Sequence, residues 1–341
     1  MMRILKYSLT LGIGFVFLWF TFRKMDVGAL WNILQQVSWL PILFAGAITI
    51  VSHVARCLRW RLLISPLKFP IRLGATFAAL MIGYAVNLVL PRGGEVARVV
   101  SLNKEEDIPM SGLLATVVVE RVLDVVALAL LLGITLMEFS EPLSRAFPGM
   151  EYVGMTMLIV CPLALVSLIV ASRYREKVVT IFRRIISRVS QKLSDKLTIL
   201  LETFLTGISS LHSAGQIGGV ILWSVVTWGL YIVAMYLILV SFNLPATYDI
   251  SLSGAILVLV MTSIGVTIPV PGAVGTYHYL CMQSLVLIFA VQADTAGAFA
   301  AISHALSFVV INGIGGTAIW GLQQFGLFKG SASLSKSDAT P

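Results

Sequence analysis

The sequence predicts an all-α polytopic membrane protein, an inverted repeat of about six full spans plus two re-entrant helical hairpins. Three observations carry that expectation. Of 341 residues, 58% are hydrophobic and 12% charged, with a mean hydropathy of +0.94. This composition excludes a soluble domain and places most of the chain in lipid. Two apolar segments are interrupted by Pro/Gly clusters, at Leu90–Gly94 and Ile268–Gly275. Basic residues gather in a few loops, as they do on the cytoplasmic side of a bilayer.

Apolar stretches of spanning length occur at 5–22, 39–60, 72–90, 111–137, 149–171, 216–242, 250–268 and 295–322, with a shorter one at 276–291. The first opens like a signal peptide but runs into Thr21-Phe22-Arg23-Lys24 without a small-residue cleavage site, so it reads as a retained span. The 172–213 stretch sets Arg173, Arg175, Lys177, Arg183, Arg184, Arg188, Lys192 and Lys196 against Glu176, Asp195 and Glu202. It reads as a basic amphipathic segment on the cytoplasmic surface. Arg56, Arg59, Arg61, Lys68 and Arg72 mark a second cytoplasmic end, and Trp39 and Trp60 read as interfacial anchors. The 138–151 loop, with Glu138, Glu141 and Glu151 against Arg145, is assigned outside. Residues 326–341 read as a disordered tail. Basic loops account for the net charge of +8, so no nucleic-acid partner is expected.

These assignments agree only if 72–103 enters from the cytoplasm and returns to it. A helix–break–helix hairpin with its tip at Pro91, Gly93 and Gly94 does so. Arms of about fifteen residues rise roughly 22 Å, short of the ~30 Å hydrocarbon core. The segment 250–291 reads as a second hairpin, entering from outside, with Pro269, Pro271, Gly272 and Gly275 at its tip. Two ordinary spans there are the alternative, giving about eight or nine transmembrane segments. Repeat one then covers 1–137 and repeat two 149–322 within a single membrane domain, 1–325, with both termini cytoplasmic. Aligning Leu90-Pro91 with Ile268-Pro269 superposes Gly94 on Gly272.

The chemistry-bearing residues fall at the first break and in the span after it. Arg92, Glu95 and Arg98 follow Pro91, and 111–137 carries Glu120-Arg121-Val122-Leu123-Asp124. Glu120 and Asp124 share a helix face at spacing four, and Arg121 reaches Asp124 at three. Arg92, Glu95, Arg98, Glu120, Arg121 and Asp124 are expected to form one buried cluster, three cations against three anions. It either locks hairpin to span or engages an anionic headgroup, since guanidinium forks match phosphate oxygens. The helix N-terminus after Gly93-Gly94 would add donors. Glu95, Glu120, Asp124 and, at the second break, His278 are candidate proton carriers. His304, with Ser303 and Ser307, reads as helix–helix glue; His53 and His212 suggest nothing specific. Three scattered cysteines form neither a metal motif nor a disulfide framework. No catalytic, metal or cofactor-binding motif is present, so the chain is not expected to be an enzyme.

Pro91-Arg92-Gly93-Gly94-Glu95 with Arg98, Glu120-Arg121-x-x-Asp124, and Pro269-x-Pro271-Gly272-x-x-Gly275 resemble the membrane region of lysylphosphatidylglycerol synthase/flippase proteins. The resemblance covers about 5–325. It implies a lipid-handling fold in a bacterial or archaeal cytoplasmic membrane, with lipid headgroup translocation as the favoured activity. The chain departs from the pattern at Ala273, where the family has a second Gly, and near His278, where it has a Glu. These 341 residues show no counterpart of the aminoacyl-transfer domain of the two-part synthases, so lysyl-lipid synthesis is not expected. The expected function is therefore flippase-like translocation of an anionic or phosphate-bearing lipid, with Arg92, Gly93, Gly94, Arg98 and Arg121 at the headgroup. The alternative is a membrane accessory presenting lipid to a partner glycosyl- or aminoacyl-transferase through its basic segment.

Overall fold

The computed structural model describes residues 27–67, 70–188 and 214–325, together with 190–191, 194–195, 197–199, 201–202 and 205. The expected first span at 5–22, His212 and the 326–341 tail lie outside the described residues. Among the described residues every regular element is helical. The chain runs through α1 (Val27–Gln36), α2 (Trp39–Ile64), α3 (Leu73–Val89), α4 (Gly93–Glu106), α5 (Met110–Ala146), α6 (Met150–Arg173) and α7 (Arg175–Ser187). It continues through α8 (Ala214–Ser241), α9 (Leu244–Tyr248), α10 (Leu252–Thr267), a 3-10 turn (Pro271–Ala273), α11 (Thr276–Phe289) and α12 (Ala293–His304). A π-helical segment (Ala305–Gly315) then leads into α13 (Gly316–Gln324).

Among the described residues, four stretches are long and apolar enough to cross a membrane: α2, Gly215–Ser241, Pro271–Phe289 and the rod Ala293–Gln324. Leu40, Leu43 and Phe44 on α2 and Ile221 and Leu222 on α8 are exposed, the pattern of a lipid-facing surface. The protein is an all-α polytopic membrane protein. Helices α2 and α8 lie antiparallel. The Ser38 N–H donates to the Ser241 carbonyl at one end (3.0 Å), and Gln216 Nε2 to Ser65 Oγ at the other (3.3 Å).

That pair orients two helical hairpins. In the first, α3–α4, Arg72 Nε closes the base against Glu106 Oε1 at 2.8 Å, beside the Ile64–Ser65 end of α2. Its arms cross at glycines: a Cβ on Gly83 would lie 2.8 Å from the Gly94 carbonyl, so only a bare backbone permits the approach. The second hairpin, α10–α11, begins at the opposite end of the α2–α8 pair, after Ser241 and α9. There Gly254 faces the Phe289 ring at the base, while Thr276 Oγ1 donates to the Gly265 carbonyl at 2.8 Å near the tip. The arms are 17, 14, 16 and 14 residues long, about 21–26 Å. The tips meet, with Arg92 Nη2 donating to the Thr267 carbonyl at 3.3 Å and Gly272 facing the Leu88 side chain. The hairpins thus point at one another from opposite ends of the molecule.

Three sequence expectations need correction. The crossings equate Gly94 with Thr276, each eleven residues beyond its partner glycine, and not Gly94 with Gly272. The second tip spends more residues on its turn, which shifts the register after the prolines. Residues 138–146, assigned to a loop, continue α5 through a kink at Phe139 (φ −113°, ψ 23°). Pro142 explains it, since its ring removes a helical N–H and crowds the carbonyl of Glu138. The α1 helix was not anticipated at all.

Candidate functional site

The charges sit where α2, α4 and α5 converge, about 8–12 Å along α2 from Ile64 (Arg59 and Arg56) and about 15–21 Å along α5 from Met110 (Glu120 and Asp124). Glu120 is the centre and is fully buried. Its Oε1 accepts from Arg56 Nε (2.6 Å) and Arg121 Nη2 (3.2 Å), and its Oε2 from Arg98 Nη1 (2.8 Å). Arg59 Nη2 lies 3.5 Å from Oε1. One turn on, Asp124 accepts from Arg59 Nη2 (2.6 Å) on one oxygen and Arg56 Nη2 (3.0 Å) on the other. The remaining donors are partly placed: Arg56 Nη1 reaches Tyr84 Oη (3.0 Å) and Arg59 Nη1 reaches Ser224 Oγ (3.2 Å). Arg98 lies over the Trp60 ring, 4.7 Å from its centroid, and Trp60 Nε1 donates to Thr116 Oγ1 (2.9 Å). A cation on an indole face in a desolvated site is worth about 2 kcal/mol.

Arg56, Arg59 and Arg98 are buried, while Arg121 is 43% exposed and forms the rim of the site with Glu95, 3.7 Å from its Nε. Four guanidiniums therefore face three carboxylates, an excess of one positive charge. Arg98 Nε and Nη2 and Arg59 Nε are buried without hydrogen-bond acceptors among the described residues. Donors orphaned beside excess positive charge are chemically suited to the oxygens of an anion, because each unmet N–H in low dielectric carries a desolvation penalty.

The structure brings together Glu95, Arg98, Glu120, Arg121 and Asp124, as the sequence reading expected, but not Arg92. Arg92 is exposed, caps α4 in the left-handed region (φ 62°) and spends a donor on Thr267 across the tips. Pro91 lies in the same turn. Gly93 and Gly94 open α4, yet their N–H groups are already used by the Leu90 carbonyl and Asn87 Oδ1. They do not offer anion donors as expected. Pro269, Pro271, Gly272 and Gly275 do form the second tip, and His278 sits there, where its Nδ1 accepts from the Gly275 N–H.

Arg56 and Arg59 are the residues that sequence reasoning missed. They were counted as cytoplasmic-end charges, but they lie inside α2 with Arg59 fully buried. The available signal was their spacing of three inside an apolar helix, which stacks both on one face. Trp60 is likewise no interfacial anchor but a buried platform. His53, read as unremarkable, is buried between Tyr84 (ring centroids 4.7 Å apart) and Asn312, whose Oδ1 is 3.0 Å from its Nε2.

A sequence model described as the lysylphosphatidylglycerol synthase TM region matches residues 7–315. The chain belongs to this family. It is also similar to a UPF0104 membrane protein of Methanocaldococcus jannaschii, 28% identical over 153 residues. That alignment covers 44% of this chain and 45% of the relative, so it spans less than half the length of either. No solved structure matches.

Proposed function

We propose that this member of the lysylphosphatidylglycerol synthase TM-region family is a flippase-like transporter. It moves an anionic or phosphate-bearing lipid across a bacterial or archaeal cytoplasmic membrane, in which both of its termini are cytoplasmic, and carries out no catalysis. The observation that supports this reading is the excess buried guanidinium charge with orphaned N–H groups beneath an Arg121–Glu95 rim. A phosphodiester brings one negative charge, which neutralises the site, and oxygens that accept from the unpaired donors. At the rim, Arg121 exchanges its shared carboxylates for the phosphate, while Glu120 and Asp124 keep the inner arginines in place. Hairpins pointing at each other from opposite ends supply the two-sided geometry that alternating access requires.

Reconstitution into vesicles with a fluorescent phosphatidylglycerol, and a zwitterionic phosphatidylcholine as comparator, tests this. Dithionite quenching then reports lipid exchange between leaflets. The folded protein is expected to move the anionic probe faster, and Arg121→Gln to slow it. If neither phosphatidylglycerol nor any other anionic probe crosses faster than in protein-free vesicles, the transport reading fails.

A further inference from the structure

Helix α6 exposes Ile159, Leu163, Val166 and Val170, the lipid-facing pattern of α2 and α8, and ends in Arg173. Tyr174 then leaves helical geometry (φ −106°, ψ 34°), so α7 sets off in a new direction where the apolar helix stops. Tyr174, Val178, Ile181 and Ile185 recur at spacings of four, three and four, which is one helical face. Tyr174 (57%), Ile181 (58%) and Ile185 (57%) are more than half exposed. Lys177, Arg184 and Arg188, all exposed, run along one edge of that stripe, and Lys177 Nζ lies 5.9 Å from the centre of the Tyr174 ring. The opposite face of α7 is covered by its own chain. Glu176, Thr180, Arg183 and Ser187 line a groove there, closed by Gln191 and Glu202 of the following segment and bordered by Arg184. Ser194 Oγ donates to the Arg183 carbonyl at 3.3 Å, and Asp195 lies 3.6 Å from Arg183 Nη2. Among the described residues the acids beside α7 are thus gathered on the groove side, and the apolar stripe is edged by cations alone.

We propose that α7 lies in the membrane interface and that its exposed face is a docking surface for the anionic lipids of the adjoining leaflet. The stripe begins at Tyr174, the residue that joins it to the end of an apolar helix. An aromatic ring with a polar tip belongs at headgroup depth in that place. From there Ile181 and Ile185 continue for about 16 Å, and lying in the plane of the interface buries all three side chains at once. The cationic edge selects the lipid. Lys and Arg stems follow apolar surface while their charged ends stay at the level of the phosphates. Residues 173–188 carry six cations and one acid, Glu176, which is turned to the groove. An anionic headgroup neutralises that field, whereas a zwitterionic one brings its own ammonium beside it. The groove side, with its acids and its covering segment, faces water. This surface is separate from the buried arginine site, and nothing in it rests on the transport reading.

A bimane label at Ile181→Cys, with Thr180→Cys on the groove face as comparator, tests the surface. Both positions are exposed, Cys57 and Cys281 are buried, and Cys161 is replaced by Ser. The full chain is reconstituted in phosphatidylcholine vesicles with or without phosphatidylglycerol, and quenching by lipids brominated near the headgroup end of their chains is measured. Quenching at Ile181→Cys is expected to be several-fold that at Thr180→Cys and to rise further with phosphatidylglycerol. That rise should vanish in about 1 M salt, which screens charges beyond ~3 Å. Lys177→Gln, Arg184→Gln and Arg188→Gln together should also abolish the rise, while the difference between the two labels persists. The proposal is overturned if the two labels are quenched alike, if phosphatidylglycerol adds nothing, or if the triple variant keeps the full rise. It is equally overturned if the Ile181→Cys label is shielded from brominated lipid and from iodide in the water, as a protein partner or a second copy would shield it. Should the triple variant not fold, the three single substitutions are judged by the same outcomes.

Discussion

Replacing Glu120 by Gln removes the one carboxylate that four arginines share. The substitution raises the excess charge from one to two while leaving Arg56, Arg59 and Arg98 buried. Removing one partner of a buried ion pair costs about 3–5 kcal/mol, because the remaining charges stay desolvated. The amide oxygen still accepts one bond, so the lower end, about 3 kcal/mol, is expected. With roughly 2–4 °C of melting temperature per kcal/mol, Glu120→Gln should melt about 6–12 °C lower. A thiol-reactive or fluorescence-detected melt in detergent measures it. Adding Arg98→Met, which removes the guanidinium nearest Oε2 and keeps an apolar chain over Trp60, restores the original charge excess. It should recover part of the loss. A drop of under about 2 °C, or a double variant less stable than the sum of the single ones, would refute the account of Glu120 as the electrostatic centre.

Three further outcomes follow from the geometry. Gly94→Ala places a methyl against the Gly83 carbonyl and should abolish a monodisperse folded species on size exclusion, while Gly218→Ala, with open space around it, should be neutral within about 0.5 kcal/mol. Arg92→Gly relieves a left-handed residue by about 1 kcal/mol, yet loses the Thr267 contact. Its melting temperature should hold or rise, while spin labels at Val89→Cys and Val266→Cys, both exposed near the tips, should move apart in pulsed electron resonance. Trp60→Phe keeps a ring under Arg98 but orphans Thr116 Oγ1 as an acceptor, and should cost about 1–2 kcal/mol in the same melting assay.

Membrane character, helical class and both hairpin breaks were legible along the chain because each is local. Apolar run length, Pro91 and Pro269, and the Glu120–Asp124 spacing all act within a few residues. Membership of Arg98, Glu120, Arg121 and Asp124 in one cluster was also within reach, since a charge deep in an apolar run must find partners. Arg56 and Arg59 were misread because charge near a helix end has two explanations, a wet end or a buried ion pair. Which one holds depends on what α4 and α5 place opposite.

The sequence by itself determined that this chain lies in lipid, breaks two helices and brings charge to the first break, since a bilayer admits no other use of those residues. Only the tertiary structure decided which charges meet. It moved Arg92 out of the cluster to the tip and brought Arg56 and Arg59 in. It also turned a balanced set into one with an excess positive charge. The reason is physical: hydropathy is a property of one segment, whereas neutralising a buried guanidinium requires a carboxylate from another helix, and the packing of α2, α4 and α5 selects it.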